Sequence, residues 1–167
     1  MPQTQKRTIS EGRILKILLD TTYLLPAIGI AIKEHQKDLP LKLIQEGNQI
    51  SICDISVFEL SAKGAKHVSA GKLPPERVTR GIRAIVYNEQ IEMIPTYESQ
   101  LLLTAFKLRK TLNDFIDCLI LSAAINHCDI LLTEDKDIQN LKNNKKFNEL
   151  LTTKNPKFKI QKPTHIL

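Results

Sequence analysis

The feature that most constrains this chain is residues 113–137, NDFIDCLILSAAINHCDILLTEDKD. Around Asp114 and Asp117 runs a segment apolar on nearly every face: Phe115, Ile116, Cys118, Leu119, Ile120, Leu121, Ala123, Ala124 and Ile125. A helix apolar all round is a buried one, and residues three apart share a face. Both acids therefore point the same way from the first turn of a buried helix. The run stops near His127-Cys128-Asp129, and Ile130-Leu131-Leu132 then leads straight into Thr133-Glu134-Asp135-Lys136-Asp137. This order predicts a buried helix, a short inner strand and a new helix that opens in carboxylates. In an open α/β sheet, chemistry sits where the strands end.

The rest of the chain repeats the alternation. Residues 14–19 (ILKILL) read as an inner strand ending on Asp20-Thr21-Thr22, and residues 23–33 as a mostly apolar helix that tolerates Pro26 in its first turn. A helical piece at 40–45 stops at Gly47, and residues 50–53 form the next strand. Helices are expected over 54–66, 75–87, 97–110 and 135–141, with a strand at 91–94 closed by Pro95. No element is assigned to 142–156, and 158–160 suits an edge strand. Strands alternating with helices imply an α/β fold, three layers α/β/α around a central parallel sheet of about five strands. Right-handed crossovers then put all the strands' carboxyl ends on one rim. The expected organisation is a flexible arm over 1–13, one domain over 14–141 and a basic extension over 142–167.

That rim receives Asp20, Asp54 with Glu59 just beyond it, and Asp135, joined by the helix-borne Asp117. Each has an ordinary reading. Ser56-x-x-Glu59 and Asp114-x-x-Asp117 fit capping boxes, while Asp20 and Thr133-Glu134-Asp135 fit helix starts. Together these readings fit less well, because caps need one oxygen and no charge, and crowded carboxylates repel or raise one another's pKa. Among their sequence neighbours only Lys136 is a cation. A hard divalent cation resolves the conflict, since Mg²⁺ and Mn²⁺ take oxygen ligands. Zinc fits poorly, because His35, His67, His127 and His165 are scattered without ligand spacing. Such a rim suits hydrolysis of phosphodiesters.

Charge agrees with a polyanionic partner. The 167 residues carry a net +6, and the cations are segregated. Residues 62–84 hold Lys63, Lys66, Lys72, Arg77, Arg80 and Arg83 against Glu76; residues 142–162 hold seven lysines against Glu149. The Arg77, Arg80 and Arg83 row reads first as a solvated helix face; with Lys63 it is also the candidate contact for the phosphates of such a partner. Three cysteines, an odd count among apolar neighbours, suit buried thiols in a reducing compartment. There is no apolar run of membrane-spanning length and no signal-peptide pattern, so a cytoplasmic protein with no membrane partner is expected. Gly-rich phosphate loops are absent from the sequence.

At this point the residues resemble the PIN domains, and within them the VapC-type ribonucleases. The likeness rests on Leu19-Asp20-Thr21-Thr22, on Ser56-x-x-Glu59-Leu60, on Asp117-Cys118-Leu119-Ile120-x-x-Ala123, and on Leu132-Thr133-x-Asp135, and it covers about 14–141. It implies a five-stranded parallel sheet and Mg²⁺- or Mn²⁺-dependent hydrolysis of RNA. Asp20, Glu59, Asp117 and Asp135 carry over as the acidic, metal-binding quartet. Thr22 and Thr133 carry over as supporting hydroxyls, with Asp114 and Asp137 as extra acids that serve as outer or alternative ligands. It further implies a small antitoxin that fills the acidic groove, and a homodimer. Asp137-Ile138 stands where the family often has Asp-Phe, and the basic tail has no counterpart in the minimal domain. The competing expectation is a non-catalytic RNA-binding or protein-interaction domain that keeps the fold and uses its basic segments.

Overall fold

The computed structural model describes residues 13–166; most of the expected N-terminal arm lies outside them. Five strands, β1 (Lys16–Leu19), β2 (Gln49–Cys53), β3 (Ile91–Ile94), β4 (Ile130–Leu132) and β5 (Lys159–Gln161), form one sheet in the order β3-β2-β1-β4-β5. Every neighbouring pair is parallel. Strand order therefore reverses beside β1, which has β2 on one flank and β4 on the other. In such sheets that reversal opens a crevice beyond the carboxyl ends of the two central strands. Here those ends are Leu19 and Leu132, which stand side by side in register.

Period-two alternation divides the strand side chains between two apolar layers. Leu18, Cys53, Ile94, Leu131 and Ile160 face one core, whereas Ile17, Leu19, Ile50, Ile52, Ile130 and Leu132 face the other. The first is covered by α4 (Ser99–Leu108), α5 (Phe115–His127), α6 (Lys136–Asn140) and α7 (Lys145–Lys154), and the second by α1 (Leu39–Gln45), α2 (Asp54–Ser69) and α3 (Pro75–Val86). Helix α5 is the all-apolar helix of the sequence, and eight consecutive residues, Cys118–Ile125, are buried. It starts where Asp114 accepts hydrogen bonds from Ile116 N and Asp117 N, so the first-turn position of Asp117 is set by a cap. Residues 145–161 supply Phe147, Phe158 and Ile160 to the same core and the outermost strand to the same sheet.

One expected helix is different in kind. Residues 23–33 do not form an α-helix; Thr21–Ile28 is a 3₁₀ segment ending at Gly29, whose φ of 92° is left-handed. Pro26 removes an internal N–H donor, and the chain turns out at the glycine. What holds this short piece is α3. Gly81 packs against it so closely that a Cβ would fall on the carbonyl of Ala27. Arg77 donates to the carbonyls of Ala27 and Pro26. The arginine row is thus not one surface, because three-residue steps drift around a helix of 3.6 residues per turn. Arg77 clamps backbone, and only Arg80 and Arg83 remain exposed.

Candidate active site

Asp20 follows β1 directly. Its backbone N–H donates to Leu132 O at 3.1 Å, which continues the β1–β4 ladder past the strand ends. Its carboxylate is then held from both sides of the crevice. Oδ1 accepts from Thr21 N at 2.7 Å, and Oδ2 accepts from the hydroxyl of Thr133, one residue past β4, at 2.6 Å. The same Thr133 oxygen accepts the N–H of Asp135 at 3.0 Å. One buried hydroxyl thus ties together the acids that follow the two central strands. Asp135 also caps α6, with Oδ1 accepting from Ile138 N; this is the bland reading of that residue, and it occupies one oxygen of two.

Glu59 comes from the second turn of α2. Its Oε1 accepts from Thr21 Oγ1 at 2.6 Å, and Thr21 Oγ1 lies 3.0 Å from Ser56 Oγ. A hydroxyl has one proton; the closer carboxylate takes it, which leaves Ser56 the donor to Thr21. Helix α2 begins at Asp54 behind Cys53, so Ser56 is already inside the helix. The capping-box reading of Ser56 and Glu59 is therefore wrong. The hydroxyl that supports the acids after β1 is buried Thr21; Thr22 is exposed. Only the side that a residue turns to after a strand ends distinguishes the two, and their spacing carries no sign of it.

Asp117 reaches the same place from the first turn of α5. Burial raises its pKa, and the negative charges of Asp114, Asp135, Asp20 and Glu59 push it further, to about 7. Burial also raises Asp20, against the hydrogen bonds from Thr133 and Thr21, with Asp135 adding to the rise and Lys63 opposing it. Glu59 is raised by burial, relieved by Thr21, raised again by Asp20 and relieved by Lys63. Asp20, Glu59, Asp117 and Asp135 therefore converge on one crevice, with Asp114 within its field. Lys63, one turn beyond Glu59, is exposed yet close enough to be felt by two of the acids. Asp137 goes elsewhere: it is exposed and lines a cleft with Thr111, Asn113 and Asn140, to which none of the four contributes. Glu134 pairs with Lys33 at 3.1 Å beside the crevice. Arg80 and Arg83 are not among the charges that shift the acids; Arg83 lies over the ring of Tyr87.

The family match decides the identity of the fold that carries this arrangement. The family model described as PIN domain covers residues 17–144. The chain belongs to the PIN domain family. No curated protein matches it in sequence. Among solved structures this PIN domain is similar to a chain of VapBC2 from Rickettsia felis bound to a DNA fragment from their promoter. The TM-score is 0.54 at 18% identity, covering 89% of this chain and 98% of that one; at that identity the likeness speaks for the fold. No described helix is long and apolar enough to cross a membrane.

PIN domains generally bind Mg²⁺ or Mn²⁺, and the donor chemistry here suits such an ion: hard carboxylate oxygens that repel one another, from four segments of chain. The carboxylates are nonetheless not gathered as a finished chelate. Among the described residues no three His, Cys, Asp or Glu side chains are arranged to hold an ion as they stand. Asp20 spends both oxygens on local donors, whereas Thr21 takes only Oε1 of Glu59 and Ile138 only Oδ1 of Asp135. The crevice is electrostatically coupled and partly self-satisfied.

Proposed function

We propose that this PIN domain is a Mg²⁺- or Mn²⁺-dependent endoribonuclease, with Asp20, Glu59, Asp117 and Asp135 as the metal-binding acids. The observation that carries the proposal is the placement of Asp117. A carboxyl pushed to about pH 7 by burial and by four neighbouring acids, at the reversal point of a parallel sheet, is expensive unless a cation uses it. The bound ion would supply neutralisation of charge on the scissile phosphate and a more acidic water. The chain's own groups do the rest. Thr133 holds Asp20 and the backbone of Asp135 in one register, and Thr21 orients Glu59. The Asp114 cap fixes the start of α5 beneath Asp117. Lys63, facing the acids from one turn beyond Glu59, offers its ammonium to a phosphate entering the crevice.

One observation favours the second reading, a non-catalytic RNA-binding or interaction domain: Asp20, Glu59 and Asp135 already have internal donors, and no closed cluster exists among the described side chains. Calorimetric titration with Mn²⁺, repeated on Asp117→Asn, separates the two. The nuclease reading expects Mn²⁺ binding that weakens at least about tenfold in the variant, and RNA cleavage that EDTA abolishes. Absence of Mn²⁺ binding, or cleavage that survives EDTA, would overturn it. The likeness to VapBC2 supports extending the proposal to a toxin held by a small antitoxin over the acidic crevice; the homodimer is proposed from the resemblance to VapC-type ribonucleases. Co-purification of a small partner protein from native cells, with loss of cleavage on complex formation, tests the toxin reading; size-exclusion chromatography with light scattering tests the homodimer.

A further inference from the structure

Beside the acidic crevice lies its electrostatic opposite. Helix α7, the turn before it and β5 enclose a groove of about 370 Å³ lined by Lys142, Asn148, Lys159, Gln161 and His165 over a floor that includes Phe147 and Phe158. The segment that builds it, residues 142–162, holds seven lysines and one acid, Glu149. None of those lysines forms an ion pair among the described residues. Lys142, Lys159, Lys162 and His165 are exposed, so their charges are available to solvent.

The groove is joined to the acids through one residue. Thr133, whose hydroxyl holds Asp20, receives a hydrogen bond on its carbonyl from Gln139 Nε2 at 2.8 Å. The other end of that amide, Gln139 Oε1, accepts from Lys142 Nζ at 2.8 Å. On the same side Thr133 N donates to Gln161 O, the last residue of β5, at 3.1 Å. Lys142 thus stands two hydrogen bonds away from the residue that holds Asp20.

We propose that the groove between α7 and β5 binds the phosphate backbone of the RNA strand flanking the acidic crevice, with Lys142, Lys159 and Lys162 as its contacts. This rests on the nuclease reading for its choice of RNA. Charge complementarity and continuity with the crevice select the occupant. Repulsion within the groove supports it: partial burial lowers the pKa of Lys142, and the nearby charge of Lys162 lowers it further. A polyanion offsets the repulsion between the two lysines. The contacts are to backbone and not to bases, because Phe147 and Phe158 are buried and present no open ring for a base to stack on. Binding here adds grip and direction without sequence preference.

The test is fluorescence anisotropy with a labelled single-stranded RNA in EDTA, where no cleavage is expected, over a series of salt concentrations. For Lys142→Gln/Lys159→Gln/Lys162→Gln, affinity at low salt should fall by about tenfold or more, and the salt slope should shrink by about 2, near 0.7 per lost phosphate contact. The charge-keeping variant Lys142→Arg/Lys159→Arg/Lys162→Arg should retain both, which rules out a folding defect as the cause. An unchanged slope in the Gln variant overturns the groove while leaving the nuclease intact if wild-type protein cleaves with Mn²⁺. A reduced slope beside wild-type protein that never cleaves overturns the nuclease and leaves the groove. Binding of polyglutamate in preference to RNA, lost in the Gln variant, overturns the RNA assignment in favour of an acidic protein segment.

Discussion

The crevice and the groove are both collections of like charge, yet the chain treats them differently. The carboxylates sit at the ends of two central strands and on two packed helices, and Asp20 and Glu59 are held by buried Thr21 and Thr133. The lysines stand on the turn before α7, on α7, and on or just past the edge strand β5, exposed and held by little beyond bonds to Gln139 and Gln100. Preorganised charge in a partly dry place acts strongly on whatever it faces. Solvated charge at a surface acts weakly per group and through number. The difference teaches where chemistry is possible and where only attraction is.

That contrast breaks most visibly at Asp20. With its carboxylate replaced in Asp20→Asn, cleavage of RNA in Mn²⁺ should fall at least about a hundredfold, the scale of losing a charge-handling group at the reacting centre; a rate within a few fold of wild type would place chemistry elsewhere. Thr133→Val keeps the shape but removes the hydroxyl shared by Asp20 and Asp135. Mn²⁺ affinity should then drop roughly 10- to 100-fold by calorimetry, as for other groups that orient ligands.

A third test reads the scaffold. Gly81→Ala forces α3 off the carbonyl of Ala27 and should cost about 1–3 kcal/mol, a fall of roughly 2–4 °C in Tm for each kcal/mol in a domain of this size. The pH dependence is smaller. Asp20, Glu59 and Asp117 have folded-state pKa values raised above their ordinary ones, so below the ordinary values folding takes no penalty from them. As pH rises toward about 7 the folded chain must ionise carboxyls it resists ionising, and stability declines. The metal-free protein should therefore melt a few degrees lower near pH 8 than near pH 5, with Mn²⁺ at pH 8 recovering the loss and Asp117→Asn flattening the profile. Smallest of all, Arg80→Gln/Arg83→Gln should leave stability within about 0.5 kcal/mol of wild type and RNA affinity nearly unchanged, which separates that exposed row from the lysine groove.

Much of this was legible because it rests on burial. The apolar helix over 115–127 can only be interior, and 130–132 is too short and too apolar to be anything but an inner strand. The convergence of Asp20, Glu59, Asp117 and Asp135 followed from the rule that parallel crossovers bring strand ends to one rim. Details that depend on a residue's final rotation were not legible. Thr21 and Thr22 are chemically identical, and only the turn after β1 decides which is buried. Arg77 looks like its row-mates until Gly81 lets α3 press on the 3₁₀ segment. The N-cap of α2 is Cys53, three residues ahead of Ser56, which is enough to turn an apparent cap into a site hydroxyl.

Strand β1 is made early, but the neighbour that completes the crevice, β4, begins at Ile130. A chain emerging from the ribosome thus displays Asp20 and Glu59 long before Thr133 and Asp135 exist to join them. Because β1 must wait with one flank open until over a hundred further residues have been added, an enzyme directed at RNA would stay unarmed toward the message that encodes it until β4 has been made.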